Sequence, residues 1–191
     1  MKHGDPLQES VSRRLLVAVP AMRDPNFERT VVFVIEHDDE GAVGLVLNRP
    51  TDAAIDDALP DWAALASAPA VAFVGGPVQQ AEAVFGLARV QRVEDSDAWQ
   101  PLVGRVGTVD LGADPGAVRA DLEAVRVFAG YSGWGPGQLD DELRQEGWFV
   151  VDALPDDLLT NDPGGLWRRV LRRQGGELAI VANYPLDIES N

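Results

Sequence analysis

Short apolar runs rich in β-branched residues recur along the chain, and runs of this kind are typical of β-strands. Polar and glycine-containing segments separate the runs. The segment 37–41, which is polar and ends in Gly41, predicts a hairpin between the runs on either side of it. The pattern predicts about nine strands, most of them in the first two-thirds of the chain. The predicted strands are 15–19, 30–36, 43–48, 71–74, 84–90, 106–111, 125–131, 148–152 and 178–182.

Capping residues indicate where the helices begin. Residues 114–115 and 162–163 are both Asp-Pro, which places a capping carboxylate before a proline at the first helical position. The first pair predicts a helix with apolar residues at helical spacing up to Val125, and the second predicts a helix that ends at Gly175. Further helices are predicted over 138–145 and between 51 and 67, with an interruption at Pro60.

The order of these elements predicts an α+β fold, because the helices are scattered and do not alternate regularly with the strands. With 191 residues, 46% of them hydrophobic, the chain is long enough to bury a core. We expect a single domain over residues 14–191, preceded by a flexible tail over residues 1–13. The tail lacks the apolar stretch that a signal peptide needs, so the protein is expected to be soluble and cytoplasmic.

Charge and residue content exclude several kinds of function. The formal net charge of −15 disfavours nucleic acid and anionic membranes as partners. Because the chain has no cysteine, disulfides, thiolate metal sites and thiol catalysis are excluded. The two histidines, His3 and His37, match no zinc or calcium pattern, and no lysine follows the glycine-rich segment 133–137 as a phosphate-binding loop requires. We expect no metal and no cofactor, an unidentified protein or small molecule as partner, and a monomer or weak oligomer.

One pair of residues could supply a nucleophile and a base, namely Ser132 and His37. The segment around Ser132 resembles the G-x-S-x-G elbow of hydrolases, but Trp134 stands where the last glycine is needed. A hydrolase would require Ser132 and His37 to lie within hydrogen-bond distance, about 3 Å. The sequence leaves the question of enzymatic activity open and favours a protein that is not an enzyme.

A basic cluster offers an alternative role as a regulator that contacts DNA. Its arginines lie at positions i, i+1, i+4 and i+5 of the predicted helix that ends at Gly175, so they share one face. Complementing the helix dipole and pairing with acidic residues would explain them equally well. No helix-turn-helix or aromatic RNA-binding pattern accompanies the cluster. The arginines are Arg168, Arg169, Arg172 and Arg173.

The loop 130–138, with the sequence GYSGWGPGQ, sets Tyr131 and Trp134 among four glycines directly after a predicted buried strand. Glycine permits positive φ and close approach of another chain or ligand, and the aromatic rings offer flat apolar faces. The loop is therefore a candidate recognition site, with Asn48 and Arg49 as polar partners. The alternative is that Trp134 fills the core beneath the turn. The candidate binding residues are Tyr131, Ser132, Gly133, Trp134, Gly135, Gln138, Asn48 and Arg49.

Four segments together resemble the AlgH/YqgE family of bacterial proteins. They are LLVAVPAMRDPNFERTVVFVIEHDDEGAVGLVLNRP at 15–50, GGPV at 75–78, GYSGWGPGQLDDEL at 130–143 and WRR at 167–169. The resemblance implies an α+β fold in which a bifurcated, mostly antiparallel sheet curls into a pseudo-barrel flanked by helices. Members are often named transcriptional regulators, but the resemblance implies no established activity and no DNA-binding module.

The motif positions of this family carry no assigned roles, and many of them are residue types that end strands or form turns. Many relatives have a histidine where this chain has Ala88, so the resemblance supports no catalytic scheme built on that histidine. Asp140 replaces the usual glutamate and keeps its charge. If several motif positions converge with the loop 130–138 in one cleft, a ligand or peptide site is indicated. The matching positions are Asp24, Pro25, Phe27, Arg29, Glu36, His37, Gly44, Asn48, Arg49, Pro50, Gly75, Gly76, Pro77, Gly130, Tyr131, Trp134, Gly137, Gln138, Leu139, Glu142 and Trp167.

Overall fold

The computed structural model describes residues 9–94, 96–118 and 120–185, and these residues form an α+β fold. Of the tail predicted over residues 1–13, the first eight residues lie outside the described part of the chain. The strands are β1 (Arg14–Ala18), β2 (Val31–Asp38), β3 (Gly41–Val46), β4 (Pro50–Ala54), β5 (Val71–Val74), β6 (Val84–Val90), β7 (Trp99–Val103), β8 (Val106–Val109), β9 (Leu122–Ala129), β10 (Ser132–Trp134) and β11 (Trp148–Asp152). The helices are α1 (Ile55–Ala58), α2 (Pro115–Val118), α3 (Gln138–Arg144), α4 (Pro155–Leu158), α5 (Leu166–Gln174) and α6 (Gly176–Val181), with a 3-10 helix at Pro60–Leu65.

Within the described residues the strands form two sheets. Sheet A has the strand order β10-β3-β2-β1-β11, and sheet B has the order β4-β5-β9-β6-β8-β7. Neighbouring strands are antiparallel except β5 and β9, which run parallel. The predicted α+β class is confirmed. Where a pseudo-barrel was expected, the described strands form two open sheets, because neither strand order closes on itself.

The central strands of sheet A are covered on both faces, which explains their runs of consecutive apolar residues. In β1, Leu15 and Val17 belong to one core cluster, whereas Leu16 and Ala18 belong to another. Successive side chains of a strand point to opposite faces, so a strand covered on both sides needs apolar residues throughout. Helix α5 packs into the first cluster, where the indole N–H of Trp167 donates to the carbonyl of Ala18 at 2.9 Å.

Two predicted elements are wrong, in each case because tertiary contacts decided between helix and strand. Residues 178–182 belong to helix α6 and not to a strand. Gly175 and Gly176, both at positive φ, redirect the chain after α5 so that α6 packs against that helix and leaves Ile180 exposed. The helix predicted from residue 114 ends at Val118. Its apolar continuation forms β9, which pairs with β5 on one side and β6 on the other.

The remaining differences concern short or polar elements. The segment predicted as an interrupted helix between 51 and 67 contains the end of β4, helix α1 and the 3-10 helix. Strands β4, β7 and β10 and helix α4 lack a strong apolar pattern and were not expected from the sequence. The hairpin predicted at 37–41 is confirmed, since β2 and β3 pair with Asp38 opposite Gly41. In the described ranges, no helix has both the length and the apolar character needed to cross a membrane.

Candidate functional site

The two sheets meet at a junction where the chain crosses twice from one sheet to the other. Residues 47–49 connect β3 of sheet A to β4 of sheet B. Residues 130–131 connect β9 of sheet B back to β10 of sheet A. The GGPV segment at 75–78 follows β5 and lies between these crossings. Three segments that are far apart in the sequence therefore meet at one place in the fold.

Backbone hydrogen bonds hold the junction together and explain its glycines. The N–H of Val46 donates to the carbonyl of Gly75 at 2.8 Å, and Val78 and Tyr131 exchange two hydrogen bonds of 3.0 and 3.1 Å. Gly76 has φ of +156°, and a Cβ built there would lie 2.2 Å from the carbonyl carbon of Tyr131. A side chain at this position would clash with fixed backbone, so only glycine allows the segments to approach this closely.

A cleft of about 250 Å³ opens at this junction, and we refer to it as the junction cleft. Its walls are mainly apolar, and its polar side chains are one guanidinium and two amides. The cleft is lined by Pro25, Asn26, Val46, Arg49, Pro50, Val74, Gly76, Pro77 and Gln80. Five of these, Pro25, Arg49, Pro50, Gly76 and Pro77, are family motif positions. The described lining includes no residue of the loop 130–138, so the motif positions converge here without the loop that the sequence analysis had expected to join them.

Arg49 is the charged side chain of the junction cleft. It is half-buried, and its Nη2 donates a hydrogen bond to the carbonyl of Glu28 at 2.6 Å. None of the ion pairs found among the described residues involves Arg49. Asn48 has a different role: its Oδ1 accepts from the N–H of Val31, and its Nδ2 donates to the carbonyl of Arg29. Asn48 thus fixes the strand crossing, while Arg49 lines the cleft.

Trp134 of the loop 130–138 packs into the protein. Its ring is 6% exposed and contacts Phe27 and Trp148, with ring centroids 6.1 and 6.4 Å away. The indole N–H groups of Trp134 and Trp148 both donate to Oε2 of Glu142, at 3.0 and 2.8 Å. Gln138 closes the loop, since its Oε1 accepts from the backbone and its Nε2 donates to Glu142. The aromatic and acidic residues of this motif therefore hold the loop by packing and hydrogen bonding to one another.

Ser132 and His37 are each engaged by other partners. Ser132 is fully buried and its hydroxyl donates to the carbonyl of Gly75 at 3.1 Å. On His37, Nδ1 accepts from the N–H of Val11 at 3.2 Å, and Nε2 lies 3.5 Å from a carboxylate oxygen of Asp140. Both ring nitrogens therefore face groups other than Ser132. This arrangement anchors the N-terminal segment and offers no serine–histidine pair for hydrolysis.

A second hollow, of about 210 Å³, adjoins Trp134 on the side of the β2–β3 hairpin. Its charged residues are Glu36, Asp38 and Glu40, and Gly41 lies close to the carbonyl of Trp134. No group of three or more potential metal ligands is found in the part of the chain that the structure describes. The hollow is thus an acidic surface groove beside a buried ring. Of the other loop residues, Gly133, Gly135 and Gln138 are exposed, and Tyr131 is half-buried with its ring 5.7 Å from that of Phe85.

Two of the four arginines on α5 are held by internal partners. Arg173 forms a bidentate pair with the buried carboxylate of Asp157, at 2.7 and 2.8 Å. Arg169 donates to the hydroxyl of Thr160 at 2.7 Å and lies 3.4 Å from Asp162. These contacts tie α5 to the segment that precedes it.

The other two arginines of α5, Arg168 and Arg172, have weaker contacts. Arg172 lies near the residues after α6, and Arg168 lies near Arg29. Arg172 donates to the side chain of Asn183 at 3.3 Å. Burial, together with the neighbouring charge of Arg168, lowers the pKa of Arg29. The guanidinium of Arg29 lies 4.3 Å from the ring centroid of Trp167, so it packs on α5 as a cation–π pair.

Arg126 is a buried cation that the sequence analysis did not single out. It is 2% exposed, and its Nη2 donates to the carbonyls of Ala68 and Thr160 at 2.8 and 2.9 Å. Its guanidinium lies 4.1 Å from the centroid of the Phe73 ring. Within the described residues no carboxylate pairs with it, and its Nε and Nη1 have no partner. Burial lowers the pKa of Arg126 to about 10.

Part of the cleft carries no signal in the sequence. Val46, Val74 and Gln80 line it but carry no signal that separates them from ordinary strand and turn residues. Pro25, Arg49 and the GGP segment had a signal, because each ends or redirects the chain. Their spatial neighbourhood, however, depends on which sheet each strand joins.

Comparison with known proteins places the chain in a family. The AlgH-like family model matches residues 15–179, and the chain belongs to that family. A UPF0301 protein of Streptomyces coelicolor is 49% identical over 186 residues, which cover 95% of this chain and 96% of the relative. A UPF0301 protein of Rhodococcus erythropolis is 41% identical over 179 residues, which cover 93% of this chain and 89% of the relative. The resemblance seen in the sequence is thereby confirmed.

Solved structures show the same fold. The crystal structure of a Corynebacterium diphtheriae protein matches with a TM-score of 0.84 and 32% identity, covering 96% of this chain and 95% of that one. The solution structure of the AlgH protein from Pseudomonas aeruginosa matches with a TM-score of 0.67 and 29% identity, covering 97% and 98% of the two chains. None of these names states an activity, a ligand or a partner, so a function has to be argued from the site.

Proposed function

We propose that this protein acts by binding and not by catalysis, and that its recognition site is the junction cleft. The observation that carries the proposal is the convergence, on one concave surface, of three segments that are separated in the sequence. Concave sites with apolar walls and a few polar groups are the usual form of ligand sites. Such a binding protein would serve a regulatory role through the ligand or chain segment that it captures.

The residues that line the junction cleft support binding more than chemistry. Among the nine described lining residues, the side chains with polar groups are Arg49, Asn26 and Gln80. A guanidinium and two carboxamides supply neither a nucleophile nor a common general acid or base, so these residues offer neither acid–base nor covalent catalysis. They can donate and accept hydrogen bonds, which is sufficient for recognition.

The size of the cleft limits its occupant. A volume of about 250 Å³ lies just below the range of about 300–1,000 Å³ that is common for drug-sized ligands. The cleft therefore suits a small molecule or one or two residues of a peptide. The loop 130–138 does not line the cleft; its backbone at Tyr131 packs against Gly76, which does. Of the binding residues expected from the sequence, Arg49 is the one that lines the cleft.

Filling the cleft provides the test. Asn26 is exposed and lines the cleft, so Asn26→Trp should occupy it without disturbing the core. Asp56→Trp, on the exposed side of α1, is the matched control. A mixture of small acids, amines, neutral compounds and short peptides is screened by ligand-observed NMR, and hits are mapped on the ¹⁵N-labelled protein. We expect hits that shift the signals of Val46, Val74 and Gly76 and that are lost only in Asn26→Trp. Hits that map elsewhere, or that survive in Asn26→Trp, would contradict the proposal.

A further inference from the structure

We infer that the occupant of the junction cleft is a small monocarboxylate with a short apolar chain, and that Arg49 binds its carboxylate. This inference rests on the proposed function, because it specifies the ligand class of the same site. It is carried by the charge contrast between the cleft and the rest of the chain, by the hydrogen bonding of Arg49, and by the apolar walls around it.

The charge of the cleft favours an anionic ligand. The chain contains 31 Asp and Glu against 16 Lys and Arg, yet the described residues lining the cleft include no acidic residue and one arginine. The sign of the charge in the cleft is thus opposite to the net charge of −15. Because a concave site with low-dielectric walls concentrates the field of its charges, Arg49 favours an anion in this cleft over a neutral or cationic ligand.

Most of the N–H donors of Arg49 are left for a ligand. A guanidinium carries five N–H donors, and the structure gives Arg49 one side-chain hydrogen bond among the described residues, to the carbonyl of Glu28. That bond orients the side chain and leaves most donors for a ligand. Arginine binds carboxylates through two parallel hydrogen bonds, which are shorter and stronger than those between neutral groups. A carboxylate would supply the counter-charge that Arg49 lacks in the described structure.

The residues around Arg49 indicate the charge and polarity of the rest of the ligand. One cation in the lining matches one negative charge, so the cleft is better matched to a monoanion than to a phosphate dianion. The walls are formed by prolines at 25, 50 and 77 and by valines at 46 and 74, which suit an apolar chain. The amides of Asn26 and Gln80 can bind one further polar group, such as an acyl amide. A branched-chain acid or the last residue of a peptide has this combination.

The test compares acids with their amides on the full chain. The probes are isovalerate and isovaleramide for a free acid, and N-acetyl-Ala-Val with its C-terminal amide for a peptide terminus. Each is titrated into ¹⁵N-labelled protein, and Kd is taken from the shifts of the cleft residues. We expect each acid to bind about tenfold or more tightly than its amide, since the amide cannot form the ion pair. The tighter of the two acids identifies the source of the carboxylate.

Variants of Arg49 give the second arm. In Arg49→Gln the preference for the acid should disappear, and in Arg49→Lys it should fall to an intermediate value, because lysine keeps the charge but not the bidentate geometry. Arg23→Gln removes an exposed arginine that does not line the cleft, so it should keep the full preference. Folding of each variant is checked by its thermal unfolding, and the comparison of acid with amide on the unaltered chain does not depend on any variant.

The failure of this inference differs from a failure of the proposed function. Equal binding of acids and amides in the cleft, or a preference that survives in Arg49→Gln, would overturn the carboxylate and leave the cleft as a binding site. If none of the four probes shifts a cleft residue, the carboxylate is also overturned. The mixed-library screen with Asn26→Trp then decides separately whether the cleft binds a ligand of another class.

Discussion

Glu142 provides the sharpest test of how the loop 130–138 is held, because its Oε2 accepts hydrogen bonds from two tryptophans. The indole N–H groups of Trp134 and Trp148 lie 3.0 and 2.8 Å from this oxygen, and the two residues are 6% and 5% exposed. Glu142→Ala leaves both N–H groups without this acceptor. An unsatisfied buried donor costs about 1–3 kcal/mol. Since Glu142 is only half-buried, water can replace part of the loss, and we expect about 2–4 kcal/mol in total.

The measurement is urea unfolding followed by tryptophan fluorescence, with thermal unfolding as a second readout. For a protein of this size the expected loss corresponds to a decrease in Tm of about 5–15 °C. Glu142→Gln should lose less, since its amide oxygen still accepts both bonds without the negative charge. The control is Asp141→Ala on the same helix, which removes an exposed ion pair with Arg144 and should cost no more than about 0.5 kcal/mol. If Glu142→Ala costs as little as Asp141→Ala, the two indole hydrogen bonds do not hold the loop.

Three further changes test other parts of the structure. Asp157→Ala should destabilise the fold by about 3–5 kcal/mol in chemical unfolding, because it leaves the guanidinium of Arg173 without its buried partner; a loss below about 1 kcal/mol would show that the pair is dispensable. Gly76→Ala should cost more than about 3 kcal/mol, since its Cβ would meet the backbone of Tyr131, and a stable variant with an unchanged NMR spectrum would contradict this close approach. Arg126→Met should be as stable as the original chain or more stable at pH 7, since it removes a buried charge that has no carboxylate partner. Because burial lowers the folded-state pKa of Arg126 to about 10, well below its ordinary value, the unfolded chain binds more protons above about pH 10 than the folded chain does. The stability of the original chain relative to Arg126→Met should therefore rise from pH 9 to pH 11.5, and a constant difference over that range would refute the assignment.

Strands made of consecutive apolar and β-branched residues could be predicted, because their composition strongly favours the extended conformation. The runs at 71–74, 84–90 and 148–152 have the predicted bounds. Local signals were also sufficient for α3, whose acidic residues lie at its first turn, and for the hairpin that Gly41 closes. In these places the secondary structure that the segment favours locally is the one it adopts in the fold.

Elements whose local pattern permits two structures could not be predicted. The apolar segments at 122–125 and 178–182 each fit a helix or a strand, and their neighbours decided the outcome in opposite directions. Strand β10, with three residues, exists because it pairs with β3. Tertiary contacts also decide whether an aromatic residue is buried. Trp134, for example, is buried because α3 and Phe27 cover it.

The sequence by itself determined the α+β class, the acidic charge, the absence of thiol chemistry and the positions where glycine and proline stop or turn the chain. These properties follow from composition and from steric limits on single residues, which act over a few positions. Only the tertiary structure decided that Arg49 faces a cleft while Asn48 holds a strand crossing and Trp134 is enclosed. The cleft lies where segments around residues 25, 49 and 76 come together beside the crossings between the two sheets. Strand pairing between residues far apart in the sequence brings these segments together, and no local pattern encodes it.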